Sequence, residues 1–115
     1  MNVRVGRYYE KKAFEYLKKI GHVLIYKNFY TPYGEVDIIS EYQGKVYFTE
    51  VKYLQSDSII NPIIKVDNSK IRKIFFSISY LKKFCRLKNY QVDSVVVYKV
   101  GKEMQINYFQ DLRLL

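Results

Sequence analysis

The chain has 115 residues, with 20 Lys and Arg against 11 Asp and Glu, one His, one Cys and 49% hydrophobic residues. That balance fits a single folded domain over 1–115 and excludes a disordered or two-domain chain. The formal net charge of +9 points to a polyanionic partner.

Residues 3–20 place Val5, Tyr9, Ala13, Tyr16, Leu17 and Ile20 at spacings of three and four, which predicts an amphipathic helix stopped by Gly21. Lys11, Lys12, Lys18 and Lys19 occupy its polar side. His22 opens a strand over 23–30 and reads as a packing or surface residue rather than a catalytic one. Thr31-Pro32-Tyr33-Gly34 closes that strand. Residues 35–42 and 45–54 are two further strands joined by Gln43-Gly44, a hairpin turn in which Gly can take a positive φ. Residues 55–66, with Asn61-Pro62 and no periodicity, read as a loop. Asp67, Asn68 and Ser69 offer N-caps for a second helix, expected to bury Ile71, Ile74, Phe75, Ile78, Leu81 and Cys85 and to stop near Lys88-Asn89. Residues 92–100 and 104–110, separated by Gly101-Lys102, are the last two strands, the first rich enough in Val to lie inside a sheet. The expected architecture is a mixed α/β sheet in the order α β β β α β β.

Compartment follows from composition. The single Cys85 cannot form an internal disulfide and has no CxxC partner, which fits a reducing environment. No apolar run approaches the roughly 18 residues that a membrane span requires. The first seven residues lack an apolar signal region, so a cytoplasmic protein without membrane contact is expected.

The excess charge is localised. Residues 1–50 carry eight basic and six acidic side chains, and 51–115 carry twelve and five. Lys70, Arg72, Lys73, Lys82, Lys83, Arg86 and Lys88, on and around the second helix, can contact phosphates without reading bases. Such a surface is expected to bind nucleic acid with strong salt dependence. Tyr26, Tyr30, Tyr33, Tyr42 and Tyr53 offer rings on which unpaired bases could stack.

Acidic residues stand beside very apolar strands. Glu50 and Lys52 project from one face of their strand, roughly 7 Å apart, and Glu35 and Asp37 likewise share a face. A turn at Gln43-Gly44 sets Asp37 approximately opposite Glu50. Two carboxylates side by side in an apolar sheet repel and lose hydration unless a cation neutralises them. Mg²⁺, or Mn²⁺ in its place, takes such oxygen ligands together with phosphate oxygens. Lys52 could then hold or deprotonate an attacking water, so the implied chemistry is phosphodiester hydrolysis. The alternative from the residues alone is an exposed cross-strand charge pattern.

Gly34-Glu35-Val36-Asp37-Ile38-Ile39 and Phe48-Thr49-Glu50-Val51-Lys52 resemble the "GExDLI … FVEVK" signature of the YraN-like family of small bacterial proteins. Gly6, Glu10, Ala13 and Leu17 resemble its opening helix, Asn28 its first strand, Lys70, Ile74 and Tyr80-Leu81 its second helix, and Val92-Asp93-Ser94-Val95 its "FDVV" strand. The resemblance implies the PD-(D/E)xK nuclease superfamily, with a restriction-endonuclease-like core similar to that of archaeal Holliday junction resolvases. It implies metal-binding roles for Asp37, Glu50 and the helix residue Glu10, a catalytic role for Lys52, and an accessory role for Glu35. The pattern departs at Leu54, where the family usually has Arg, and at Ile59-Ile60, where it commonly has Gly.

The expected function is a Mg²⁺-dependent DNA endonuclease acting on branched or distorted DNA, for which a homodimer would supply two active sites. The alternatives are a non-catalytic nucleic-acid-binding adaptor with the same fold, and a subunit whose basic face meets an acidic protein.

Overall fold

The computed structural model describes residues 3–54 and 68–114. Its elements are α1 (Val3–Lys19), β1 (Val23–Thr31), β2 (Gly34–Tyr42), β3 (Lys45–Leu54), α2 (Asn68–Leu81), β4 (Tyr90–Val100) and β5 (Glu103–Phe109). This is the expected α β β β α β β order. The strands form one sheet in the order β1-β2-β3-β4-β5. β3 and β4 run parallel, and the other neighbours run antiparallel.

The period-2 pattern of the strands divides the apolar side chains between two faces. Tyr9, Ala13 and Leu17 of α1 pack on Ile38, Val95 and Val97. Ile71, Ile74 and Ile78 of α2 pack on Val36, Ile39, Phe48 and Val92. The two helices therefore cover opposite faces, and the Val-rich β4 lies buried between them, as its composition indicates.

Turn chemistry sets the joints. α1 ends as the periodicity indicates: the Gly21 amide donates to Lys18 O at 3.0 Å and the His22 amide to Leu17 O at 2.9 Å, with Gly21 at φ +106°. This is the Schellman arrangement, which satisfies carbonyls that the helix end would leave unpaired. Tyr42 pairs with Lys45 across Gln43 (φ +49°) and Gly44 (φ +78°), a two-residue turn whose paired positive φ values match strand twist.

The second helix departs from expectation. It ends at Leu81 rather than near Lys88-Asn89. Beyond it, Lys83 N–H donates to Tyr80 O at 3.1 Å and Phe84 N–H to Leu81 O at 2.9 Å, a winding tighter than the 3.6-residue period, before Cys85 N–H returns to Leu81 O at 3.0 Å. Cys85 consequently leaves the buried face on which that period placed it. It is exposed, with its Sγ 3.4 Å from Leu81 O. Lys82, Lys83, Arg86 and Lys88 thus follow the helix instead of lying on it. The loop expected over 55–66 and the capping candidate Asp67 lie outside the described residues.

Two buried polar groups are structural. His22 Nδ1 lies 2.8 Å from Ser40 Oγ, and its ring stacks on Tyr42 with Tyr47 at its edge. Burial lowers its pKa, and the charge of Asp93 opposes that shift. Asp93 is fully buried and accepts hydrogen bonds from the Gln91 side chain, the Tyr108 hydroxyl and the Asp111 amide. Among the described residues, no helix is long and apolar enough to cross a membrane.

Candidate active site

Along β1 and β2 the alternation of faces breaks at one point. Lys27 lies over the Phe14 ring of α1, whereas Phe29, two residues on, packs with the α2-side core. Ile38 belongs to the α1 side and Val36 to the α2 side. Strict alternation would put each of these pairs on one face. At the break, Asn28 takes φ +55°, a left-handed conformation that Asn tolerates better than most residues.

The β2–β3 ladder ends at the same level, at Ile38 and Thr49. Continuing that register places Asp37 opposite Glu50, as the turn position implies. Past that point the Asp37 side chain takes part in the pairing: its Oδ2 accepts the Val51 amide at 2.8 Å. The sheet opens here, and a carboxylate stands in the opening.

The opening gathers acidic groups from two elements. One carboxylate oxygen from each of Glu10, Glu35 and Asp37 lies within 4.8 Å of the others. Asn28 Nδ2 donates to Glu10 Oε1 at 2.7 Å and to Glu35 Oε1 at 2.6 Å. Arg7 Nη1 lies 3.0 Å and 3.4 Å from the same two oxygens, and Arg7 Nη2 donates to the Tyr30 hydroxyl at 3.3 Å. Charge and hydrogen bonds thus hold two acidic side chains side by side. Asp37 is half-buried, and its pKa is pushed up to about 7. Burial is the main cause, followed by the charges of Glu10, Glu35 and Glu50, and the Val51 hydrogen bond opposes them.

Asp37, Glu35 and Gly34 form one wall of an open cavity of about 250 Å³, with Glu50, Lys70, Lys73 and Ile74 around it. That volume admits a hydrated ion and a phosphate group. Glu50 is buried, and its Oε1 lies 3.6 Å from Lys70 Nζ. The structure therefore brings Glu10 and Glu35 together with Asp37, and sets Glu50 at the same cavity against a lysine. Lys52 shares the α2-side face of β3 with Glu50 but does not line the cavity. Arg7 was not singled out from sequence, although it lies three residues before Glu10, one helical turn away. Asn28 was noted only as a match in the first strand. An Asn inside an apolar strand is itself a signal, since strands disfavour it.

The basic residues separate by environment. Lys70 and Lys73 line the cavity, and Arg72, Lys83 and Arg86 are exposed. Lys82 Nζ donates to the Tyr90 hydroxyl at 2.7 Å and lies over that ring. Lys88 borders a separate cavity with Tyr90, Asp111 and Arg113. The tyrosines separate as well. Tyr53 stacks on Tyr9 and Tyr42 on His22, the latter beside the β2–β3 hairpin turn and away from the acidic group. Tyr26 packs on Phe29, Tyr30 meets Arg7, and Tyr33 faces α2.

A family model described as "Uncharacterised protein family UPF0102" matches residues 9–97. The match takes in Glu10, Glu35, Asp37, Glu50, Lys52 and the whole of α2. Similar proteins, each called "UPF0102 protein", occur in several bacteria. That of Fervidobacterium nodosum is 38% identical over 92 residues, which make up 79% of this chain and 68% of that protein. That of Pseudothermotoga lettingae is 33% identical over 107 residues, covering 91% of this chain and 94% of the relative. That of a Nitratiruptor species is 33% identical over 105 residues, covering 87% and 88%.

Proposed function

The chain belongs to the uncharacterised protein family UPF0102, the YraN family, and from that premise we propose that it is a divalent-metal-dependent nuclease hydrolysing phosphodiester bonds in DNA. The observation that carries this reading is the gathering of Glu10, Glu35 and Asp37 in an opened sheet, with Glu35 and Asp37 lining a cavity of about 250 Å³ that Lys70 and Lys73 also line.

The donor set fits the ion. All three groups offer carboxylate oxygen, the ligand type that Mg²⁺ and Mn²⁺ prefer. Glu10, Glu35 and Asp37 would hold the cation, with Glu50 at the same cavity. When bound, a divalent cation there supplies Lewis-acid activation for phosphodiester hydrolysis. The chain's own residues do the rest. Asn28 and Arg7 fix Glu10 and Glu35 against each other, so little reorganisation is needed on binding. Lys73 attracts the phosphate to the cavity, and Lys70 balances the charge of Glu50 beside it. Lys52, on the Glu50 face, offsets charge developing on the phosphate oxygens and assists water activation. Branched or distorted DNA is the proposed substrate, a homodimer the form that cuts both strands, and the cytoplasm the compartment.

One observation favours the second reading, a non-catalytic nucleic-acid-binding adaptor. The Arg7 guanidinium already places a positive charge between Glu10 and Glu35.

Two measurements decide between them. Calorimetry with Mn²⁺ is expected to show one bound ion per chain for the wild type, with affinity reduced more than about 100-fold in Asp37→Ala and Glu10→Gln. Linear, flapped and four-way DNA incubated with Mg²⁺ or Mn²⁺ is expected to be cut by the wild type and left intact by Asp37→Ala. A wild type that neither takes up the ion nor cuts any of these, while still binding DNA, is the adaptor.

A further inference from the structure

The outer side of α2 carries a row of aromatic rings that neither core uses. Phe76 and Tyr80 stand at i, i+4 on α2, and Phe84, in the turn that follows the helix, continues the row with its centroid 5.1 Å from that of Tyr80. Tyr33, from the turn between β1 and β2, joins the row at 5.5 Å from Phe76 and 6.4 Å from Tyr80. Three of the rings are open to solvent, Phe84 at 70%, Phe76 at 48% and Tyr33 at 46% exposure, and Tyr80 among them is half-buried. Contiguous exposed rings on a soluble surface mark an interaction site.

Charge and position indicate what binds there. Arg72, Lys73 and Lys83 lie in the same part of the surface, and no Asp or Glu occurs between Asn68 and Gln91 in the sequence. The stretch that supplies three of the four rings is therefore charged only by basic residues, complementary to a polyanion that also presents flat apolar faces. One end meets the candidate active site. Lys73 lines the acidic cavity, and its Cδ lies 3.8 Å from where a Cβ on Gly34, the residue after Tyr33, would stand.

We propose that Tyr33, Phe76, Tyr80 and Phe84 form a stacking platform for the unpaired bases of single-stranded DNA, aligned so that the neighbouring phosphates run past Lys73 to the acidic cavity. Bases in a duplex have both faces covered by their neighbours, so only an unpaired segment gives these rings something to stack on. Ring stacking contributes about 1–3 kcal/mol per base and tolerates any sequence. An anionic membrane would also meet a basic aromatic surface, but it would have to lie against the carboxylates at the platform's inner end. The inference deepens the nuclease reading and rests on it for the events at the cavity, while the platform is tested by binding alone.

The test is fluorescence anisotropy with the full chain, a labelled single strand of about 20 nucleotides, and the same sequence as a blunt duplex, in the presence of EDTA. Phe84→Ala and Phe76→Ala are each expected to weaken single-strand binding about 5- to 100-fold, with duplex binding within about twofold and Phe84→Tyr close to wild type. Equal losses on both DNA forms, no loss on the single strand, or binding to phosphatidylserine vesicles in place of the single strand would overturn the platform. If Phe84→Ala melts too low to assay, Phe84→Leu against Phe84→Tyr decides: loss in both or neither counts against stacking, and loss in Leu alone supports it. Because metal is chelated, the two readings fail separately. A wild type that binds single strands through these rings yet neither binds Mn²⁺ nor cuts DNA defeats the nuclease reading and leaves the platform. A wild type that cuts DNA while the ring variants bind single strands unchanged defeats the platform alone.

Discussion

The Asp37 carboxyl, half-buried among three other carboxyl groups, is pushed up to about 7 from its usual 3.8. Its folded-state pKa therefore exceeds its unfolded one, so the folded protein holds the proton more tightly between those values. The stability this group contributes is fully present below 3.8 and is lost as pH rises through about 7. Asp37→Asn removes that loss and keeps a side-chain oxygen for the Val51 amide. The variant is expected to be more stable than wild type near pH 8 by about 1–3 kcal/mol, with the gap closing near pH 4. Denaturant melts at the two pH values check this, and a gap independent of pH would refute it. The charges of Asp37 and Glu50, which the structure sets at one cavity without Lys52, were legible in sequence because charged residues in apolar strands require a reason. Arg7 and Asn28 were not, because their partners lie up to 28 residues away and meet them only where the strand faces reverse.

Elements were legible wherever a local rule governed them. The apolar period of α1, its terminal glycine and the Gln43-Gly44 turn all appear in the structure where composition placed them. Gly21 shows how closely that joint is built: at φ +106°, an added Cβ would stand 2.7 Å from Tyr42 Cε1. Gly21→Ala is therefore expected to lower stability by about 1–3 kcal/mol, from left-handed strain and displacement of the Tyr42 ring off His22. Thermal denaturation checks it, and an unchanged midpoint would mean that the ring moves aside freely. The period failed after Leu81. Cys85 keeps its helical spacing in the sequence, but the backbone tightens one turn too early for the spacing to carry it inward. The break in β1 and β2 had one local mark, Asn28, a residue that strands disfavour, but the reversal of faces follows only from its φ of +55°.

At the scale of the molecule, the +9 charge resolves into a usable surface smaller than the sequence suggests. Of the seven basic residues between 70 and 88, Lys70 faces Glu50 and Lys82 bonds to Tyr90. Arg72, Lys73, Lys83, Arg86 and Lys88 are the residues on which the proposed DNA contact would draw. Five such contacts predict that the logarithm of DNA affinity falls with the logarithm of salt at a slope of about −3 to −5. Anisotropy titrations at several salt concentrations measure it, and a slope near zero would remove the polyanion surface. Composition was enough to locate this charge, but not to separate committed lysines from available ones, since their partners come from other elements.

The parallel pairing of β3 with β4 has a consequence for the order of assembly. α1 and the β1–β2–β3 meander are consecutive in the chain, whereas β4 reaches β3 only after a crossover that includes α2, so Val46 must find Tyr90. Long closures of this kind form late, and a ribosome releases the N-terminal half first. The carboxylates of Glu10, Glu35 and Asp37 can thus be drawn together in a nascent chain before Lys70 and Lys73 have emerged. During synthesis, the acidic cluster passes through a stage in which Arg7 is already beside it and Lys70 and Lys73 are still to come.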